Sequence, residues 1–315
     1  MTTEPRRAGR LQPRMSGLSW RRARWGYVFI APWIIGFLAF TLIPMVATLA
    51  FTFTNINLAQ EDPLQFVGLR NYQNLLSDKQ TWDSLAVTFK FALIALPVAV
   101  ILPFAVALLL NARHLRGSSM FRVLFFLPYV VPFVAGVLIW GGMLETQSGW
   151  VNGFLELLGV ENPPAWLDDP GWIYPALVIM GVWGIGAGMI VYLAGLKGIP
   201  SEFYDAARID GAGGWAVLRH ITIPMMSPVI FYTLVLAIVE VLQYFLVPLV
   251  LKNGTGEPGG STLFFNLYLY KNFFSFQNMS YGATLAWLLF AITLVITLVL
   301  FRSSRRWVYY AGEAR

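Results

Sequence analysis

Long runs without a charged residue recur along this 315-residue chain, at Tyr27–Ala50, Phe91–Asn111, Val123–Leu144, Gly171–Leu196 and Tyr281–Phe301. Each reaches the roughly 20 residues that a helix needs to cross the hydrocarbon of a bilayer. A sixth run, Ile221–Leu251, is interrupted only by Glu240. The pattern predicts an all-α, polytopic membrane protein with six transmembrane helices. The second of these carries Pro97 and Pro103, which remove backbone donors and favour bends inside a bundle. The fourth carries Gly181, Gly184, Gly186 and Gly188, with Gly195 after them, a set that serves either close helix contact or a flexible seam. The fifth begins after Pro224 and Pro228 and carries Glu240, Gln243 and Tyr244 before Pro248. A carboxylate this far into an apolar segment needs a partner, a proton or water. Glu240 therefore lines a path, sits in a buried hydrogen bond, or reaches an interface on a tilted segment.

Composition agrees: 57% of residues are hydrophobic and 12% charged, far from the balance of a soluble domain. Charge also orients the chain. The regions 1–26, 112–122, 197–220 and 302–315 hold 17 of the 22 Lys and Arg residues, which places them, and with them both termini, on the cytoplasmic side. The loop 145–170 carries Glu145, Glu156, Glu161, Asp168 and Asp169 and no Lys or Arg, as an outer loop should. The net charge of +6 is accounted for by Arg residues that flank membrane spans and meet anionic lipid headgroups, so no nucleic-acid partner is expected. No small-residue cleavage pattern interrupts the apolar stretch after Arg24, so a cleaved signal peptide is not expected. With no cysteine and with His114 and His220 in unclustered loop positions, neither disulfides nor a metal site is expected. The organisation that follows is a basic cytoplasmic arm (1–26), a first helix with an outer segment (27–84), a core of five helices (85–301) and a basic cytoplasmic tail (302–315).

Two polar segments stand out. Lys252–Thr262 is rich in glycine but lacks the Gly-Lys-Ser/Thr ending and the strand-to-helix setting of a phosphate loop, so nucleotide hydrolysis by this chain is not expected. Between the fourth and fifth helices, Pro200 and Ser201 can open a short helix with Glu202 and Asp205 in its first turns. Ala206, Ala207, Ile209 and Ala212 form a small apolar side, and Gly211, Gly213 and Gly214 permit a sharp change of direction before Trp215, Val217, Leu218 and Ile221. Arg208 is placed to pair with Asp205 three residues earlier. Such a bent projection suits docking in a cleft of another protein, or resting as an amphipathic connector on the membrane surface.

The series Asp205-Ala206-Ala207-Arg208-Ile209-Asp210-Gly211-Ala212, continued through Trp215, Leu218 and Ile221 to Pro224, resembles the inner-loop signature of the permease subunits of binding-protein-dependent ABC importers. The likeness is to the MetI-like family, above all its carbohydrate branch, which includes the maltose and glycerol-3-phosphate permeases. Phe66-Val67-Gly68-Leu69-Arg70-Asn71-Tyr72, Gln243-Tyr244-Phe245, Gly254, Gly256, Pro258, Thr262, Tyr270 and Tyr281-Gly282 extend it over about residues 25–305. The family's leading Glu is Asp205 here, one methylene shorter, and a position that is often aromatic is Leu218.

The resemblance implies a MetI-like permease fold in the cell's inner (cytoplasmic) membrane. Asp205, Ala206, Ala207, Arg208, Asp210, Gly211, Ala212, Leu218 and Pro224 then form a cytoplasmic coupling helix that enters a cleft of an ATPase subunit. It also implies an ATPase dimer that binds the ATP and Mg, a second permease subunit, commonly a related but different chain, and an external solute-binding protein. This chain itself would hold no cofactor and perform no catalysis. Glu240, Gln243 and Tyr244 are the candidate contacts to a sugar or sugar derivative. Trp183, Tyr192, Tyr244 and Tyr268 are aromatic enough to stack on sugar faces, and aromatics at such depths also pack helices. The rival readings are an ion-coupled secondary transporter, for which Glu240 is the one ionisable group in place, and a noncatalytic membrane assembly or receptor subunit.

Overall fold

The computed structural model describes residues 17–60, 63–112 and 115–309, so the expectations for the arm 1–16, for His114 and for the tail 310–315 lie outside it. Among the described residues the chain is helical, with a single isolated bridge between Thr54 and Phe66. It divides into two compact units after Phe51. The first holds α1 (Gly17–Phe37) and α2 (Ile43–Phe51), joined through one wide turn, Leu38–Leu42, without leaving the helix. The stretch Arg24–Phe51 is long and apolar enough to span a membrane, and none of its side chains is buried. The helix begins ten residues before the uncharged run because the Arg-rich segment preceding it contains good helix formers and no breaker from Leu18 to Arg24.

The second unit begins at Thr52 and so includes the segment before the second span. Phe66–Tyr72 folds that segment back on itself. Gly68 adopts φ +58°, a left-handed turn. The buried Asn71 then donates to the carbonyls of Thr52 at 2.8 Å and Thr54 at 3.0 Å. Tyr72 completes the staple, its hydroxyl 2.9 Å from Thr52 Oγ1 and its ring 5.7 Å from Phe53. The motif is thus an internal tie whose Phe66 ring remains exposed.

After α3 (Arg70–Ser77) the central helix α4 (Lys79–Leu110) runs unbroken through Pro97 and Pro103. The next predicted crossing is two helices, α5 (Ser118–Val130) and α6 (Phe133–Met143), bent by 98°. The cause is local: Val131 precedes Pro132, whose ring drives it to an extended conformation, ψ 132°. The short α7 (Trp150–Leu157) follows. The fourth crossing is α8 (Ile173–Trp183) and α9 (Gly186–Lys197), bent by 56° around Gly184. After α10 (Ser201–Ile209) and α11 (Gly214–Val217), a wide turn at Leu218–Thr222 leads into α12 (Ile223–Leu242). That helix contains Pro224 and Pro228 instead of starting after them: Pro224 falls in the first turn, where a missing N–H costs nothing. A break at Gln243–Phe245 separates α12 from α13 (Leu246–Lys252), and α14 (Phe265–Tyr270) and α15 (Met279–Ser304) complete the chain's helices. Counting each bent pair as one span gives six.

Two buried clusters hold α4 against its neighbours. Near α10, Ala107, Leu110, Met189, Tyr192, Leu196, Ile199 and Met226 join α4, α9 and α12. At the opposite end, Phe91, Ala95, Ile173, Leu177, Val247 and Phe264 join α4, α8, α13 and the segment leading to α14. The glycines of the fourth crossing are mostly contact points. A Cβ on Gly186 would lie 2.3 Å from the backbone oxygen of Phe125, and one on Gly195 would lie 2.9 Å from side-chain atoms of both Met226 and Val229. Gly188 faces Pro103 of α4, while Gly181 faces open space. Close packing, the commonest use of small residues between membrane helices, is what most of these positions do.

Gly186→Ala must displace backbone of α5, and about 1–3 kcal/mol of stability is expected to go with it. Gly181→Ala should be neutral or slightly stabilising, as alanine is in an open helix position. Thermal unfolding of the two purified variants in detergent checks this, and equal midpoints would contradict the packing assigned to Gly186.

Candidate coupling loop and transport path

The loop between α9 and α12 has the local order that its sequence promised. Pro200, at φ −58° and ψ 136°, sets the chain before α10. The helix ends in a paired C-terminal closure: Ala212 N–H donates to Ala207 O at 2.9 Å and Gly211 N–H to Arg208 O at 3.2 Å. This arrangement needs a left-handed residue at Gly211, which has φ +71°. Arg208 pairs with Asp205 across one turn, both partly exposed. Ala207 is buried, Tyr204 packs toward the cluster around Met226, and its hydroxyl lies 3.3 Å from Thr222 Oγ1. The projection is therefore tied at its base to the turn that opens α12. Its other side is uncovered: Asp205, Ala206, Asp210 and Gly211 are exposed, Ala212 and Leu218 are half-buried, and Ile209 and Trp215 are 87% and 72% exposed. Two large apolar side chains, Ile209 and Trp215, are thus held outward at this turn.

The candidate path residues separate. Glu240 and Gln243 are exposed and continue a stripe with Tyr232 and Leu236 along one face of α12. Tyr244 turns away into an aromatic cluster, its ring 4.9 Å from Phe91 and 5.2 Å from Phe264. The other aromatic candidates are also packed. Tyr192 is fully buried with its hydroxyl 2.5 Å from Thr233 Oγ1, Trp183 stands edge-on to Trp140 at 6.2 Å, and Tyr268 is bound to Asp78. Each fills contacts within this chain.

Sequence reasoning missed the clasp that holds this region in place. Asp78 caps α4 through Gln80 N–H at 3.0 Å, and its second carboxylate oxygen accepts from Thr81 Oγ1, Tyr268 Oη and Tyr281 Oη, each at 2.7 Å. α4, α14 and α15 thus meet at one carboxylate. From α14, Asn266 Nδ2 donates at 2.8 Å to the carbonyl of Gln243, a group freed by the end of α12. Burial raises the Asp78 carboxyl, but the hydrogen bonds from Tyr281, Thr81, Tyr268 and Gln80 outweigh it and hold the group below the usual carboxylate range. Burial, followed by the neighbouring carboxylate, pushes the Tyr268 hydroxyl up to about 12, so it stays a donor. The available signal was an Asp immediately before a long apolar helix, the N-cap pattern. Beside it, Lys252 Nζ meets Asp168 Oδ1 at 2.6 Å and joins the end of α13 to the loop 145–170.

Long apolar helices interrupted by bent pairs, with a tied polar projection between the fourth and fifth spans, define a permease of the multi-pass type. The family profile described as "Binding-protein-dependent transport system inner membrane component" matches residues 72–308, and the chain belongs to that family of ABC transporter permeases, which are noncatalytic membrane subunits. It is 35% identical to the probable ABC transporter permease protein YesP of Bacillus subtilis, over 91% of this chain and 93% of the relative. It is 33% identical to the trehalose/maltose transport system permease protein MalF of Thermococcus litoralis, over 92% and 97%. The lactose transport system permease protein LacF of Rhizobium radiobacter is also 33% identical, over 89% and 94%. Its fold is that of a chain in the crystal structure of a bacterial ABC transporter involved in alginate import, with a TM-score of 0.75 at 24% identity over 91% of this chain and 96% of the other.

The Asp78 clasp gives a pH dependence. A carboxyl held below its ordinary value binds its proton less readily folded than unfolded, so its contribution is complete above the ordinary carboxylate pKa and is lost as pH falls through the depressed one. Asp78→Asn should lower the melting temperature at neutral pH and flatten its acid-side decline. An unchanged acid limb in thermal scans of the variant would show that the clasp does not set it.

Proposed function

We propose that this chain is one of two permease subunits in an ATP-driven, binding-protein-dependent importer of a sugar or sugar derivative. It works in the inner (cytoplasmic) membrane with both termini in the cytoplasm. The observation that carries the reading is α10 and its left-handed exit, a rigid projection that presents Ile209 and Trp215 and is fastened to α12 through Tyr204 and Thr222. Asp205, Ala206, Ala207, Arg208, Asp210, Gly211, Ala212 and Leu218 dock in a cleft of a cytoplasmic ATPase, whose dimer binds the ATP and Mg and hydrolyses it. Closure of that dimer moves the projection, and Pro224 at the start of α12 receives the motion. The two ends of the membrane path then open alternately through differential contacts in the two states. An external solute-binding protein delivers the cargo.

Glu240 and Gln243 face the path. Their exposure on a stripe of α12 supports this, since a second permease subunit applied to that stripe would enclose a polar seam. Tyr244 supports the path from behind through its aromatic cluster. Sugar cargo is supported by relatives named for trehalose/maltose, lactose and arabinooligosaccharides.

In the reconstituted complex, Gly211→Trp should insert normally yet cut uptake at least about tenfold, equivalent to roughly 1.4 kcal/mol, while ATP hydrolysis persists. The left-handed φ disfavours any side chain and the added ring obstructs docking. Normal uptake with normal solute-stimulated hydrolysis would refute the coupling role. Glu240→Gln should raise the half-saturating solute concentration about tenfold, as loss of a charge-assisted hydrogen bond does. Uptake unchanged at every concentration would remove Glu240 from the path, and uptake driven by a proton or sodium gradient without an ATPase would favour a secondary transporter.

A further inference from the structure

The base of α12 contains a defect and a repair. Pro228 has no N–H, so the carbonyl of Pro224, four residues earlier, has no helical donor. Ser227 supplies one, its Oγ donating to Pro224 O at 2.6 Å. The same oxygen accepts the backbone N–H of Tyr309 at 2.8 Å, from a segment 82 residues away. Beyond Ser304 the chain turns sharply, with Arg306 N–H bonded to Ser303 O and Val308 N–H to Ser304 O, and lies back along α12. Val308 is 4% exposed there. Phe231 of α12 is met edge-on by Phe301 at 5.0 Å and by Trp307 at 5.8 Å. Ser304 and Ser227 are themselves buried. The strap 305–309 therefore rests on an aromatic contact and on one hydroxyl that both donates and accepts.

We infer that Ser227 is a positioning residue of the transport cycle: it locks the strap 305–309 onto the Pro224 turn, so that motion arriving at Pro224 moves α12 and α15 together. The inference rests on the coupling role proposed for the loop ending at Pro224. Its physical content is that the relay Tyr309 N–H to Ser227 Oγ–H to Pro224 C=O leaves all three groups satisfied. Removing the hydroxyl takes the partner from two part-buried backbone groups at once, one on each helix's extension. A merely structural seat would need only the Phe231 and Val308 packing. The hydroxyl adds a link that reports the geometry of the proline turn to the last span.

Valine and threonine share a shape and differ by this hydroxyl, so the pair Ser227→Val and Ser227→Thr isolates it. In the complete complex in liposomes, solute transported per ATP hydrolysed should fall about fivefold for Ser227→Val, the weight of one hydrogen bond on a two-state balance. Ser227→Thr should stay close to the parent chain. Equal losses in both, or no loss in Ser227→Val, would overturn the proposal. A second measurement needs no change at Ser227. The chain lacks cysteine, so spin labels at Ile223→Cys and Arg306→Cys, both exposed, report the distance between the turn and the strap. One distance kept through resting and ATP-bound states supports the lock, and a distance that changes between them defeats it. Failure of the parent complex itself to couple ATP to uptake would instead reject the function proposed above, which separates the two outcomes.

Discussion

Within hydrocarbon a helix can be interrupted only where protein supplies the hydrogen bonds that the interruption takes away. Three interruptions of this chain show that constraint met. Where Pro228 withholds a donor, Ser227 provides it. Where α12 ends, Asn266 reaches the stranded carbonyl of Gln243. Where α14 begins, its unpaired Phe265 N–H finds the hydroxyl of Thr88, buried in α4, at 2.9 Å. Each repair comes from a different element from the one interrupted, or recruits one, so irregularity in one helix becomes a tie between two.

The same constraint explains how α4 organises the bundle. It is the longest helix and remains regular despite two prolines, and at its two ends it meets opposite kinds of partner. Near α10 its contacts are apolar: Ala107 and Leu110 pack with Met189, Tyr192 and Met226, and Gly188 of α9 faces Pro103. At its start the contact is polar, through Asp78 and Thr88. Packing holds both ends, and at the start directed bonds are added to it.

Much of this was readable in advance. The six apolar runs, the projection at Asp205–Ala212 and the left-handed turn at Gly211 follow from hydropathy and from the conformations that proline and glycine allow. The 98° bend at Val131 was written in Pro132, but a local preference does not reveal whether a helix will yield, as Pro97 and Pro103 show by leaving α4 unbroken. Ser227 and Asn266 were illegible because their importance lies in whose carbonyl they answer, and that is fixed by tertiary placement. Asn71 is the intermediate case: its motif was visible, its role as a staple was not. Glu240 stands out in the sequence as the one charge in its apolar run, and its position on an uncovered face follows from the helical spacing with Tyr232 and Leu236.

The clasp at Asp78 also has a consequence in time. Its partners Tyr268 and Tyr281 follow it by 190 and 203 residues, so a ribosome has made most of the chain before the first of them emerges. Until then the capped start of α4 must wait beside the membrane with a carboxylate that has only its local Gln80 and Thr81 contacts. Completion of the last span is what closes it. A chain cut short anywhere before Tyr281 would lack at least one of the clasp's two distant partners.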